Sequence, residues 1–347
     1  MAICLAAVAA GCAVGSSGAS SGSARGSSNA TQQTACQVES VANKVLPSVV
    51  TINARGEAGG GSGSGEVIRS DGYILTNNHV ISIAANGGAV SVLFSDGASV
   101  PATITGRDPL TDLAVLHVAP PHDLKVIAIG SSDTVKVGQP VVALGAPLGL
   151  SGTVTAGIVS ALDRTVNVPG DNGGQALLVS AVQTDAAINP GNSGGALVNC
   201  AGRLIGVPTA GATVPSPSGE SAGGSIGLGF AIPVDLAMSI SKEIIDTGTV
   251  THAYFGLQTV PIPPAAAAQA GTSGGLYVTG VAPSGPAAQA GLEVGDVITT
   301  IDGKAATSND QLESLSLSRK AGDTVTISYA RSGQTTKTTI TLGAQPG

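Results

Sequence analysis

A serine, a histidine and an aspartate in this chain have the types and settings that nucleophilic acyl transfer requires. Ser193 lies in TDAAINPGNSGGAL, residues 184–197, where three glycines and a proline stand between two aliphatic stretches. A serine hydroxyl attacks a carbonyl carbon when a base takes its proton and an acidic group orients that base. Because the chain contains 50 glycines, such a motif also arises by chance, and Ser193 is then only a turn residue. The presence of a base and of an acidic group elsewhere in the chain decides between these interpretations.

One of the four histidines has the setting of a base. His79 stands at the end of a predicted strand, in YILTNNHVI, residues 73–81. We interpret the other three, His117, His122 and His252, as structural or solvent-exposed. The sequence therefore leaves His79 as the candidate base.

The acidic partner is predicted from a strand that begins with a carboxylate. Asp112 comes directly before the aliphatic run LAVLHV, whereas Asp108, in GRDP, is typical of a turn. The chain order His79, Asp112, Ser193 is that of chymotrypsin-like enzymes. Subtilisins and α/β-hydrolases have other orders. Three motifs in one consistent order favour a catalytic Ser193.

Short β-strands must position these residues. From about residue 37 to 245, aliphatic runs alternate with Gly, Asn, Asp and Pro, without alternating helices. This pattern predicts an antiparallel barrel or sandwich. A helix is predicted at PVDLAMSISKEIIDTG, with Gly248 ending it.

Composition limits the partners. Hydrophobic residues make up 42% of the 347 residues but aromatic residues only 2%, with no Trp, so the core must consist of Val, Ile, Leu and Ala. The net charge is −7 and no block of Lys or Arg occurs, which argues against a surface for nucleic acid or anionic membrane. Peptides or proteins are the expected partners.

The N-terminal residues predict export. MAICLAAVAAGC, residues 1–12, has the length and apolarity of a signal peptide, although no Lys or Arg precedes the run. VAAGC resembles the lipobox of bacterial lipoproteins, in which the cysteine, here Cys12, carries lipid; AVA at 7–9 also fits ordinary cleavage. Residues 13–36 are Ser/Gly-rich and predict a disordered tether. We expect an envelope protein that is lipid-anchored or secreted.

The cysteines allow one disulfide bond. When Cys4 leaves with the signal and Cys12 carries lipid, Cys36 and Cys200 remain as a candidate pair, with two unpaired thiols as the alternative. No C-x-x-C and no Cys/His cluster at metal spacing occurs, so neither metal nor cofactor is predicted.

Six segments resemble successive signatures of the HtrA/Deg family. They are GSGSGEVI at 61–68, LTNNHVI at 75–81, DPLTDLAVL at 108–116, GAPLGLSGTVTAGIVSAL at 145–162, QTDAAINPGNSGGALVN at 183–199 and GLGFAIP at 227–233. The resemblance covers residues from about 45 to 342. It implies a mostly β protein: a chymotrypsin-like double β-barrel protease domain at 37–248, then a small α+β PDZ domain at 249–347.

The resemblance also assigns roles at the reaction centre. Ser193 is the implied nucleophile, His79 its base and Asp112 the group that orients His79. Gly191, Asn192 and Ser193 form the implied oxyanion hole, on a loop that can rearrange in this family.

Specificity is expected from three residues. Ala187 stands six positions before the nucleophile, where trypsin-like enzymes carry an Asp, and Ile226 and Leu228 fall near the expected pocket wall. The resemblance therefore implies cleavage after Val or Ala. Asp185 is interpreted as structural.

The C-terminal segment GPAAQAGLEVGDVITTIDG resembles the PDZ signature. Tyr254, Phe255, Gly256 and Leu257 correspond to the loop that binds a peptide's terminal carboxylate. The alternative is that these four residues only pack at a domain boundary.

The resulting functional prediction is an ATP-independent endopeptidase for unfolded or damaged envelope proteins. The alternative is a chaperone or peptide-binding scaffold with minor proteolysis. The family implies a homotrimer through residues 37–50, where Val41, Val45 and Leu46 give an apolar face, and loops at 163–176 and 208–225 that relay peptide binding.

Overall fold

The computed structural model describes residues 36–57, 59–146, 152–169, 175–211, 225–263, 266 and 274–345. The predicted signal, Cys12 and the tether up to residue 35 lie outside the described residues, as do parts of the two predicted regulatory loops. No helix in these ranges is long and apolar enough to cross a bilayer.

Residues 49–118 form a closed six-stranded barrel. Helix α1 (Val38–Val45) and a 3₁₀ turn (Leu46–Ser48) lead into it. Its strands are β1 (Val49–Gly56), β2 (Gly59–Val67), β3 (Tyr73–Asn77), β4 (Ala89–Leu93), β5 (Ser99–Asp108) and β6 (Leu113–Val118), in the order β1-β2-β3-β6-β5-β4. A short helix α2 (Asn78–Ile81) and a 3₁₀ turn (Ser82–Ala84) follow β3. Inward-facing Ile52, Ile74 and Leu116 are fully buried in its core.

The next strands form a second barrel. They are β7 (Ala128–Ile129), β8 (Pro140–Gly145), β9 (Thr153–Pro169), β10 (Gln175–Thr184), β11 (Ala196–Asn199), β12 (Arg203–Gly211) and β13 (Gly229–Pro233). Their order is β11-β8-β9-β10-β13-β12-β7, and pairing of β11 with β12 closes the ring. Helix α3 (Val234–Thr247) follows and ends, as predicted, at Gly248, whose φ of 80° is left-handed.

A large apolar core fills the seam between the barrels. Leu75, Leu113 and Leu144 belong to it, together with residues of α1 and α3. Val41 and Val45 of α1 are buried there, so the apolar face predicted for this helix is covered within the chain.

A disulfide joins Cys36 to Cys200, with their Cα atoms 5.1 Å apart. Cys36 lies just before α1, and Cys200 lies in the turn between β11 and β12. The bond therefore ties the first described residue to the second barrel.

The C-terminal segment is a small α+β domain. Its strands are β14 (Ala253–Tyr254), β15 (Leu257–Pro261), β16 (Leu276–Val281), β17 (Val297–Ile301), β18 (Lys304–Ala305), β19 (Thr324–Arg331), β20 (Gln334–Thr341) and β21 (Gly343–Ala344), and its helices are α4 (Pro286–Gln289) and α5 (Asp310–Ser318). The main sheet has the order β15-β16-β17-β19-β20, so β15 is an edge strand. The predicted fold class, a double barrel followed by a small α+β unit, is confirmed.

Candidate active site

His79 and Asp112 meet because β3 and β6 are neighbours. These strands pair antiparallel with Asn77 opposite Leu113, which brings the first residues after β3 to Asp112, the residue before β6. His79 Nδ1 lies 2.8 Å from Asp112 Oδ2, and the His79 backbone N–H donates to Asp112 Oδ1 at 2.9 Å. Asp112 is 2% exposed, whereas the His79 side chain is 36% exposed. The Asp112 carboxylate is thus fixed inside the protein, and the His79 ring can reach a substrate.

The backbone of Asp112 is held in an unusual conformation. Its φ is 57°, the left-handed region that costs a residue with a Cβ atom about 1–2 kcal/mol. Asn77 Nδ2 donates to the Asp112 carbonyl oxygen at 2.9 Å, and the Asn78 N–H donates to it at 3.1 Å. These bonds offset the strain and aim the carboxylate at His79.

Ser193 reaches this site from the second barrel. It lies in the turn between β10 and β11, and its carbonyl oxygen accepts the N–H of Ser64 of the first barrel at 2.9 Å. The Ser64 hydroxyl donates to the Gly191 carbonyl oxygen at 2.6 Å and accepts the Ala146 N–H at 2.8 Å. Ser64 therefore fastens the nucleophile loop across the seam.

Two backbone donors of this loop are free. In the described part of the chain, the N–H groups of Gly191 and Ser193 have no hydrogen-bond acceptor. Gly191 has a φ of 98°, and Gly194 has a φ of 77°. A Cβ atom on Gly194 would lie 2.3 Å from the Ser64 carbonyl oxygen. Glycine is required in this turn because a side chain would push the loop off the first barrel.

The third predicted member of the oxyanion hole is oriented differently. Asn192 is 1% exposed. Its backbone N–H donates to the Asn189 carbonyl oxygen at 3.0 Å, and its Nδ2 donates to the Ala187 carbonyl oxygen at 3.3 Å. Asn192 therefore braces the loop from inside, and we remove it from the predicted hole.

Thr209 is a residue of the site that the sequence did not indicate. Its hydroxyl donates to Asp112 Oδ2, and its carbonyl oxygen accepts the Ser193 hydroxyl at 3.4 Å, a long hydrogen bond. The sequence analysis placed residue 209 in the predicted loop 208–225, whereas the structure places it in strand β12, which meets Asp112 only through the packing of one barrel on the other.

The predicted specificity residues lie on two segments. Ala187 is half-buried beside Asn192, while Ile226 and Leu228 are exposed. The Ser225 N–H donates to Asn189 Oδ1 at 2.9 Å, which joins the two segments. Asp185 bonds the backbone of β9, because its Oδ1 accepts the Ile158 N–H at 2.7 Å. Its contact agrees with a structural interpretation.

Asp108 and the three other histidines have contacts outside this site. Asp108 is buried at the end of β5, where Oδ1 lies 3.0 Å from His252 Nε2. His122 lies 2.8 Å from Asp96 on the surface, and His117 Nε2 lies 3.1 Å from the Asp71 carbonyl oxygen.

The segment Tyr254–Leu257 enters the edge strand of the C-terminal domain. Tyr254 pairs with Gly343, Phe255 is buried in the core of this domain and Gly256 has a φ of 73°. The carbonyl oxygens of Phe255 and Gly256 accept N–H groups, whereas their own N–H groups have no acceptor among the described residues. The turn thus presents two free donors where β15 begins.

Both domains match known families. Residues 63–207 match the model of the trypsin-like peptidase domain, and residues 253–342 match that of the PDZ domain. The serine protease PepD of Mycobacterium tuberculosis is 44% identical over 313 residues, 88% of this chain and 66% of PepD. The periplasmic pH-dependent serine endoprotease DegQ of Escherichia coli is 36% identical over 328 residues, 86% of this chain and 68% of DegQ. The chain spans about two thirds of the length of these relatives.

Solved structures agree with these matches. The HtrA-type protease AlgW with a tripeptide has a TM-score of 0.70 at 36% identity, over 89% of this chain and 98% of AlgW. The serine endoprotease of Yersinia pestis has a TM-score of 0.64 at 34% identity, over 89% and 98% of the two chains. The chain belongs to the HtrA-type family of serine proteases.

Proposed function

We propose that this chain is an exported, ATP-independent serine endopeptidase that cuts unfolded or damaged envelope proteins after small aliphatic residues. The carrying observation is the 2.8 Å contact between His79 Nδ1 and the buried Asp112 carboxylate. That contact leaves the other ring nitrogen, Nε2, as the base for Ser193. Family membership supports the same chemistry.

The first half of the reaction uses these groups in turn. His79 Nε2 takes the Ser193 proton while Oγ forms a bond to the scissile carbonyl carbon. The carbonyl oxygen becomes an oxyanion, which the free N–H groups of Gly191 and Ser193 stabilise. Asp112 stabilises the charged imidazolium. The hydroxyl must first leave its long bond to the Thr209 carbonyl oxygen.

The second half returns each group to its starting state. The carbon–nitrogen bond breaks as His79 gives its proton to the leaving amine, which leaves an acyl group on Ser193. A water molecule then attacks the ester carbon and loses a proton to His79, and the acid product leaves as Ser193 regains its proton.

The proposed specificity depends on the absence of a carboxylate at Ala187. An aliphatic wall of Ile226 and Leu228 suits Val or Ala and offers no countercharge to Lys or Arg. The exposure of both side chains supports contact with a substrate.

The proposed role of the C-terminal domain is binding of peptide C-termini. The free N–H groups of Phe255 and Gly256 suit a carboxylate, and the edge strand β15 suits an added peptide strand. Asn309, just before α5, contacts Thr259 of β15, with Nδ2 donating to the carbonyl oxygen at 3.0 Å. A bound peptide is therefore expected to pair with the part of β15 nearer Leu257.

Export is supported by the disulfide, because such bonds persist outside the reducing cytosol. Two relatives are named periplasmic endoproteases. The lipid at Cys12 remains a prediction, and fatty-acid labelling that disappears in Cys12→Ala would support it. The homotrimer remains a prediction too, and light scattering of the full chain measures it.

The deciding experiment is digestion of β-casein by the wild type beside Ser193→Ala, with product ends mapped by mass spectrometry. We expect cleavage after Val or Ala that disappears in the variant. If the wild type is silent, hydrophobic C-terminal peptides are added. Activity that then appears means that peptide binding gates the protease.

Continued silence with measurable peptide binding would replace the proposal with the scaffold or chaperone function. Cleavage after Lys or Arg that Ser193→Ala abolishes would keep the triad and reject the pocket.

A further inference from the structure

Three buried acceptor atoms on the neighbouring strands β2 and β3 have no hydrogen-bond partner among the described residues. They are both carboxyl oxygens of Glu66 and Oδ1 of Asn77, and they are the buried side-chain N and O atoms that lack a hydrogen bond in the described part of the chain. Both residues are 0% exposed. Buried polar groups without partners are rare and costly, so this cluster requires an explanation.

The strand register places the two side chains on one face. Glu66 of β2 pairs with Leu75 of β3, and Asn77 lies two residues beyond Leu75. Ser64, two residues before Glu66, points at the second barrel, where it bonds Gly191. Since side chains alternate along a strand, Glu66 and Asn77 both face the seam, as diagonal neighbours within reach of a long side chain.

The three acceptor atoms of this cluster have no hydrogen-bond donor. An ionised carboxylate and an amide oxygen both accept, so they repel each other in a dry seam. Burial raises the pKa of the Glu66 carboxyl well above its ordinary value. A protonated carboxyl is itself a donor.

We propose that Glu66 is a positioning residue whose protonated carboxyl donates to Asn77 Oδ1, directly or through one buried water. Asn77 Nδ2 then stays on the Asp112 carbonyl oxygen, where it is found at 2.9 Å. The inference rests on the proposed function, because it concerns how the Asp112 carboxylate is aimed at His79.

The amide of Asn77 carries the effect. An asparagine amide can turn by 180°, and its surroundings select the orientation. When Glu66 loses its proton, the carboxylate attracts Nδ2 and the amide turns. The Asp112 carbonyl oxygen then loses a donor that holds its left-handed backbone, so alkaline pH displaces the carboxylate from His79.

Other titratable groups around Glu66 are few. In the described residues, β2 is in contact with β1, β3, β8, α2 and the turn Ser82–Ala84. Their titratable side chains are Arg55 at the far end of β1, Tyr73 of β3 and His79 of α2. Arg55 is exposed and Tyr73 packs against the seam core. No countercharge among them has a salt bridge to Glu66.

The same proton affects stability. The folded-state pKa of Glu66 is raised above its unfolded value, so above the unfolded pKa the native protein binds more protons than the unfolded chain. The free energy of unfolding must therefore fall as pH rises from the unfolded pKa towards the folded one.

Two variants of similar volume separate positioning from packing. Glu66→Gln keeps a donor at every pH, whereas Glu66→Leu removes it and suits the apolar seam. We expect Glu66→Gln to retain kcat within about twofold and to lose the alkaline decline. Glu66→Leu should fold but lose about tenfold in kcat at every pH, with KM unchanged. Asn77→Ala should make the Glu66→Leu change nearly silent.

Several results would overturn the inference. One is a folded Glu66→Leu variant with wild-type kcat and pH profile, which means packing alone. Another is loss of activity in both variants, which means that the ionised form matters. A third is an additive effect of Asn77→Ala.

An infrared titration of the Ser193→Ala chain tests the proton independently of turnover. The expected result is a protonated-carboxyl band at neutral pH that Glu66→Gln removes, and its absence overturns the inference. If wild-type cleavage fails but this band is present, the proposed function has failed and the protonation of Glu66 has not.

Discussion

At the scale of single residues, the Asp112 carboxylate is surrounded by donors. It receives the backbone N–H and the ring of His79, and also the hydroxyl of Thr209. Hydrogen bonds to an ionised acceptor are stronger than neutral ones. Together they orient the carboxylate and keep the proton of His79 on Nδ1. Thr209 should therefore increase the reaction rate through its hydrogen bond to Asp112, although its hydroxyl does not contact the reacting atoms of the substrate.

Thr209→Val tests that contribution. The substitution keeps the shape of the side chain but leaves Asp112 Oδ2 without the hydroxyl donor. We expect kcat/KM on a peptide with Val at the cleavage site to fall about tenfold. Thr209→Ser, which keeps the hydroxyl, is the matched control and should stay within about threefold of wild type. Equal rates for Val and wild type would remove Thr209 from the site.

Gly194→Ala separates steric collision from backbone strain. Gly194 and Gly97 both have left-handed backbones, with φ of 77° and 91°. A Cβ atom on Gly194 meets the Ser64 carbonyl oxygen, whereas one on Gly97 meets nothing within 4 Å. Gly97→Ala should therefore cost only the strain, about 1–2 kcal/mol by urea unfolding, and keep activity. Gly194→Ala should have the same strain and should also abolish casein cleavage, because its Cβ atom would collide with the Ser64 carbonyl oxygen. Retained cleavage would show that this collision does not displace the loop.

At the scale of elements, α1 is attached to the second barrel by both covalent and apolar contacts. The disulfide fixes its first end at Cys200, and Lys44 Nζ donates to the Ala201 carbonyl oxygen at 2.6 Å near its other end. Val41 and Val45 pack in the seam between these points. The helix thereby helps to close the seam in which both halves of the active site meet.

Replacement of both Cys36 and Cys200 by serine should lower the free energy of unfolding by about 2–5 kcal/mol. The bond closes a sequence separation of 164 residues, which restricts the unfolded chain. Urea unfolding of both proteins with and without a reductant measures the effect. The reductant should destabilise the wild type and leave the double variant unchanged. Equal stability of the oxidised proteins would contradict the prediction.

At the scale of the whole molecule, the C-terminal domain packs on the protease domain. Leu317 of α5 lies against Leu177 and Val179 of β10 in a small buried cluster. Beside it, the buried pair of His252 and Asp108 joins the start of the C-terminal domain to the loop that precedes Asp112. Asp108 also bonds Thr111 and the Leu110 N–H, which shapes that loop.

His252→Ala should destabilise the protein more than His122→Ala does. The His252 and Asp108 side chains are 7% and 4% exposed, whereas those of His122 and Asp96 are 41% and 52% exposed. Removal of His252 leaves the buried Asp108 with only the Thr111 hydroxyl and the Leu110 N–H as donors, at a cost of about 2 kcal/mol. Removal of His122 should cost less than about 1 kcal/mol. Urea unfolding of both variants measures the difference. Similar losses of unfolding free energy would show that the buried pair contributes no more to stability than the exposed pair.

Local features of this protein can be predicted from residues that are close together in the chain. The pattern of short aliphatic runs predicted an antiparallel barrel or sandwich, the resemblance to the HtrA/Deg family implied two barrels, and Gly248 predicted the end of α3. The settings of Ser193, His79 and Asp112 indicated acyl-transfer chemistry. These signals are readable because they depend on a few neighbouring residues: on side-chain period, on turn chemistry and on motif spacing.

Contacts between groups that are distant in the chain depend on the tertiary structure. It turned Asn192 inward to Ala187, brought Thr209 to Asp112, and placed Asp108, a predicted turn residue, in a buried pair with His252. It also buried the Glu66 carboxyl and Asn77 Oδ1 without hydrogen-bond partners among the described residues. Each contact joins separate strands or domains, so its partner is set by how barrels pack and how strands register. Neither the packing of the barrels nor the strand register can be recognised from residues that are adjacent in the chain.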